Sequence, residues 1–133
     1  MLSGIATIVA VVVAYKVHQN QKLLAQRQLL LPLWDYMSTL SAIDAEDPIA
    51  PDVIKVVNTL ELVALCCEGG MIDKKVVKRT FSEQFVEHYE QVKRCRSIIP
   101  GLKYDGEGLL KQNRAATEFY RYLEQERLAQ GRI

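Results

Sequence analysis

The first fifteen residues, "MLSGIATIVAVVVAY", carry no charged side chain, and polarity begins abruptly at "KVHQNQK". A helix drawn through residues 2–15 shows apolar groups on nearly all sides, with only Ser3 and Thr7 polar, and such a helix needs its whole circumference covered. At 1.5 Å per residue the run reaches roughly 25 Å when Lys16 snorkels, against a hydrocarbon layer of about 30 Å. Local thinning closes that gap, and Leu2, Ile5, Ile8, Val9, Val11, Val12 and Val13 together favour insertion by a few kcal/mol. The pattern therefore predicts a single transmembrane anchor over residues 1–17. A cleaved signal peptide fits less well, since no basic residue precedes the run and "AYKVHQNQ" offers no small-residue cleavage site. Lys16, Lys22 and Arg27 all follow it. The positive-inside rule then places the N-terminus outside and the bulk of the chain in the cytoplasm, with a bacterial inner membrane assumed as the setting.

Good helix formers without Gly or Pro continue to Leu31, so residues 18–32 read as a helical stalk that Pro32 kinks or ends. Leu33, Trp34, Met37, Leu40 and Ile43 resume an amphipathic pattern over residues 33–43, and "DAEDPIAPD" is a connection. In "PDVIKVVNTLELVALCCEGG" Pro51 suits a first helical turn and the two glycines suit its end. Val53, Val56, Val57, Leu60, Val63, Ala64 and Cys67 make its apolar face. Asp73 caps the next helix, whose inward stripe is Val77, Phe81, Phe85, His88, Tyr89, Val92, Cys95 and Ile99, ending before Pro100. "LKYDGEG" is a loop, and a last helix runs over residues 107–129. No segment alternates with period two, so the fold is all-α: an anchor, a stalk and an antiparallel bundle of about four helices over residues 33–133.

Charge and cysteine change this picture little. Seventeen basic and sixteen acidic residues nearly cancel, and with no recognition motif nucleic acid is not expected as a partner. Cys66, Cys67 and Cys95 fit neither a disulfide framework nor a zinc site. His88 stands among Glu83, Glu87 and Glu90, but a bundle metal site needs Glu-x-x-His, and position 85 is Phe. No metal or cofactor is expected. Lys93, Arg94 and Arg96 flank Cys95 and would favour its thiolate, whereas its place on the apolar stripe argues for burial. Asn58 and Glu61 sit one turn apart and should cap or bridge to another helix, through an arginine such as Arg94 or Arg114. Lys74, Lys75, Lys78 and Arg79 crowd the first turns of their helix, where they oppose its dipole. They are the candidate docking face, and reversing their charges should leave the fold intact.

The order of apolar run, "NTLELVALCCEGGMID" and "FVEHYEQVKRCRSI" resembles an uncharacterised family of small bacterial and phage membrane-anchored helical proteins, a domain of unknown function. The resemblance covers residues 29–99. Asn58, Glu61, Gly70 and Asp73 match its N-x-x-E helix and G-x-(I/L)-D turn, with Tyr89 where tryptophan is usual. It implies no activity.

The functional expectation is a tethered interaction or regulatory protein, not an enzyme. Its partners would be the bilayer and an unknown membrane or cytoplasmic protein, as in phage interference with superinfection or a host membrane complex. The alternatives are a small membrane-associated enzyme using His88, Glu87 or Cys95, and a membrane-perturbing effector. Oligomeric state stays open.

Overall fold

A computed structural model describes the backbone of residues 2–131 and the side chains of residues 4–131. Five helices follow one another: α1 (Leu2–Ser38), α2 (Ala50–Glu68), α3 (Lys74–Lys93), α4 (Gly106–Gln112) and α5 (Arg114–Gln130). The described residues hold no strand, as the periodicity predicts.

The expected transmembrane anchor is overturned. Among the described residues no helix is long and apolar enough to cross a membrane. The physical reason is length: the uncharged run stops at Lys16, and His18, Gln19, Asn20, Gln21 and Lys22 follow within two turns, so the apolar stretch falls short of a hydrocarbon layer of about 30 Å. The single-pass inner-membrane placement with the N-terminus outside falls with it.

The stalk and the helix expected over residues 33–43 are one element. Helix α1 runs unbroken through Pro32 and ends at Ser38. Proline lacks the N–H that would bond to the carbonyl of Gln28. Both residues lie on an exposed side of the helix, where water can solvate the freed carbonyl. Only the C-terminal part of α1 is seated: Leu33 and Met37 are buried, and Leu29, Leu30 and Leu40 pack against the core at its edge. Trp34 lays its ring 5.8 Å from that of Phe81.

Helix α2 follows its local signals. Ile49 is its N-cap, Pro51 lies in the first turn, and Gly69 closes it, with Gly70 at φ +73°, a left-handed value that glycine adopts without strain. Asp73 caps α3 by accepting from the Lys75 N–H at 2.9 Å. The core lies between α2, α3 and α5, where Val53, Leu60, Val63, Val77, Phe81, Phe85, Val92 and Ile99 have no measurable exposure. Phe85 meets Phe119 edge to face at 5.0 Å, and burial of each such side chain contributes about 1.5–3 kcal/mol. Every member of the predicted α3 stripe is buried except His88, which is half-buried. The helix itself ends at Lys93, earlier than the pattern suggests.

The single helix expected over residues 107–129 is two. The break falls at Asn113, which leaves helical geometry at φ −101° and ψ 74°. Its side chain donates to the carbonyl of Leu109 at 2.8 Å, and the Thr117 hydroxyl donates to that of Leu110 at 2.7 Å. The Asn113 side chain thereby serves the Leu109 carbonyl that the interrupted ladder would leave bare, while the Leu110 carbonyl accepts the Asn113 N–H as well as the Thr117 hydroxyl.

Candidate functional site

The longest exposed apolar stretch among the described residues is the N-terminal length of α1. Ile5, Ile8, Val9, Val12, Val13 and Tyr15 are all about half exposed or more, from 48% for Val12 to 65% for Ile8. Leu23 and Leu24 carry the exposure on towards the body. Monomeric proteins rarely leave so contiguous an apolar surface open unless something binds there. The arm holds Lys16, Lys22 and Arg27 and no acidic residue. A smaller apolar strip lies on the outer face of α2, where Ile54, Leu62 and Leu65 are exposed at helical spacing and Met71 lies just beyond.

The basic cluster at the start of α3 is split by its surroundings. Lys78 Nζ lies 2.9 Å from Glu126 Oε2 of α5, and Lys74 Nζ sits 4.4 Å above the ring of Tyr122. Both therefore help to hold α3 against α5. Lys75 and Arg79, one turn apart, are exposed and make no ion pair among the described residues. The four residues are thus not one uniform docking face. Lys78→Glu should cost about 1 kcal/mol, since it exchanges a partly exposed pair for a repulsion. The double variant Lys75→Glu/Arg79→Glu should unfold within about 0.5 kcal/mol of the native chain. Urea titration of both checks this, and equal losses would contradict the division.

Glu61 does bridge to another helix, though not through an arginine. Its carboxylate accepts from the backbone N–H groups of Ala115 at 3.2 Å and Ala116 at 2.8 Å. This caps α5, whose own N-cap residue Asn113 makes no side-chain cap. Arg94 and Arg114 pair instead within their own stretches of chain, with Glu90 and Glu118. Asn58 is exposed and lines a groove of about 490 Å³ with Tyr104 and Asn113.

The titratable candidates do not assemble as a reactive centre. Cys95 and Cys66 are buried, and burial pushes both thiols above their ordinary value, with Asp44 reinforcing the shift at Cys95. Cys67 is raised to about 11 by burial and by its neighbour Cys66. The positive flank of Cys95 does not prevail over its burial. Glu87 is exposed. Tyr120 stacks on Tyr89 at 3.9 Å and donates to Glu90 Oε1 at 3.1 Å; burial and that bond push its hydroxyl up to about 12. No group of three or more metal-ligating side chains comes together among the described residues.

His88 keeps Nδ1 buried without a hydrogen-bond partner, and burial lowers its pKa against a smaller opposing effect of Glu87. A base depressed in the fold binds fewer protons than in the unfolded chain just below the free imidazole value of about 6.5. Its contribution to stability is present above that pH and is lost as pH falls. The melting temperature should therefore drop between about pH 7.5 and 5.5, and His88→Gln should flatten that slope. Identical slopes would show that other groups govern it.

A groove of about 480 Å³ between α3 and α5 is lined by Lys78, Glu83, Glu87, Glu90, Glu124 and Arg127 among others. Mixed charges line it, unlike the apolar wall with a few convergent polar groups that small-molecule sites present.

No curated protein and no solved structure matches the chain. The family described as Domain of unknown function (DUF4760) matches residues 3–126, which extends the likeness seen over residues 29–99 across the arm, α4 and most of α5. The Glu61 cap, the Gly70 turn and the Asp73 cap thus lie within a match that spans nearly the whole molecule, and the chain belongs to the DUF4760 family.

Proposed function

We propose that this chain is an interaction protein whose binding element is the free length of α1, held out from the helical body. The observation that carries this reading is the run of large apolar side chains left exposed from Ile5 to Leu24. A body of about a hundred residues with its own closed core has no structural use for that surface. The enzyme reading is less well supported, because burial holds the Cys95 thiol protonated while Glu87 stands out in solvent. Lys75 and Arg79 are the part of the basic cluster left available to an acidic partner.

A photo-crosslinking residue placed at Val12, compared with one at the exposed body position Lys103, tests the proposal in the cells that make the protein. Adducts of discrete mass from position 12 and none from position 103 are expected. Absence of adducts from position 12 would overturn it.

A further inference from the structure

The core-facing side of α3 carries one ionisable ring. His88 lies seven positions after Phe81, three after Phe85 and four before Val92, so on a helix of about 3.6 residues per turn it falls within the arc those residues occupy. Phe81, Phe85 and Val92 have no measurable exposure. His88 is half-buried, and its Nδ1 is enclosed without a hydrogen-bond partner. The same stretch of α3 holds the seat of α1. Trp34 meets Phe81 at one end of it, and at the other the Ile43 N–H donates to Gln91 Oε1 at 2.8 Å. His88 stands between these two contacts, opposite the point where α1 ends at Ser38 and the chain crosses to α2 without helical structure. The ring is thus at the joint between the arm and the body, and within reach of water.

A neutral imidazole can keep Nδ1 as a lone pair, whereas the imidazolium places an N–H and positive charge there. A buried charged donor without an acceptor is costly. The charged groups around the joint offer little relief. Asp35 stands on α1, Asp44, Glu46 and Asp47 on the connection, Asp52 and Lys55 on the first turns of α2, and Glu87 on α3 itself. Of these Glu87 alone acts on His88, less strongly than burial does, and Asp44 acts on Cys95. Helix α5 packs on the other flank of α3, through Phe85 and Tyr89. We propose that His88 is a pH-sensitive latch beneath the joint: the neutral ring lets α1 sit on α3, and its protonation loosens the Trp34 and Ile43 contacts while the α2–α3–α5 core stays closed. The latch governs how firmly the arm is joined to the body, and it operates whatever the arm binds. His18, the chain's other histidine, lies exposed in the arm away from the seat.

Trp34 is the chain's single tryptophan, so acrylamide quenching of the full chain reads the seat directly. Quenching is expected to rise as pH falls, with a midpoint below the free imidazole value of about 6.5, while far-ultraviolet circular dichroism holds constant. The Ile43 amide should lose exchange protection, relative to its intrinsic rate, over the same range. His88→Gln, which cannot take up the proton, should keep quenching flat, and His18→Gln should behave as the native chain. A nuclear magnetic resonance titration of His88 in the native chain needs no variant, and its midpoint should coincide with that of quenching. Flat quenching in the native chain, or an equal rise in His88→Gln, would overturn the inference. Titration of His88 at or above the free value would do so as well, and so would loss of helix in step with quenching, since the whole body rather than the joint would then be opening.

Discussion

Gly106→Ala is expected to lower the unfolding free energy by about 3 kcal/mol, at the top of the range for overpacking, and the melting temperature by roughly 10 °C or more. At this position the chain returns against the end of α3, and the Gly106 N–H donates to the carbonyl of Cys95 at 2.9 Å. A Cβ here would run into the backbone carbonyl of Val92 and lie 3.1 Å from the Cys95 Cβ. Backbone cannot swing aside as a long side chain can, so either α3 or the start of α4 must shift. Gly4→Ala is the control, because nothing lies within 4 Å of a Cβ at that site, and alanine favours helix over glycine by about 1 kcal/mol. Thermal unfolding of the two variants side by side decides the matter. A Gly106→Ala chain that melts with the native protein would mean that the two segments are not in this close contact.

The second large effect is expected at Glu61. Two charge-assisted bonds from one carboxylate to the first turn of α5 should make Glu61→Ala cost about 2–3 kcal/mol, combining lost hydrogen bonds with lost interaction at a helix N-terminus. Glu61→Gln, which keeps an acceptor and loses the charge, should fall between. Glu68→Ala, at an exposed position of the same helix, should stay within about 0.5 kcal/mol of native. Urea unfolding gives the magnitudes. Amide exchange adds a local reading, since Ala115 and Ala116 should lose protection ahead of the rest of α5. Unchanged exchange at those two amides would show that the carboxylate is not their partner.

Both sites bear on what can be read from the chain alone. Helix α2 is legible because its signals are local: proline in the first turn, glycines at the end and an apolar face between. The α3 stripe is legible as burial but not as helix. Cys95 and Ile99 are buried as the spacing requires, yet the helix stops at Lys93, because the following chain turns back to meet Gly106. That close approach involves residues on either side of a loop and leaves no periodic trace. The break at Asn113 is hidden for the same reason. Its surroundings favour helix, and the interruption depends on Glu61, more than fifty positions earlier, meeting the freed N–H groups. Spacing identifies Glu61 as a bridging residue but points to arginine partners, because a backbone N–H has no signature in sequence. The apolar opening run is visible at once. Its uncharged length, cut off at Lys16, is what the membrane-anchor expectation underweights. As for the basic cluster, spacing along α3 cannot show that Lys74 and Lys78 turn towards α5 while Lys75 and Arg79 turn away.

The passage of α1 through Pro32 without a break has a mechanical consequence. A helix of 37 residues is a rod of about 55 Å, and only its last turns are clamped, with Leu33 and Met37 set into the core. Force applied near Val12 acts at long leverage on a short grip. Whatever holds the arm therefore sets the angle at which the body stands, and a torque on the arm is felt first at Leu33, Met37 and the Trp34–Phe81 contact.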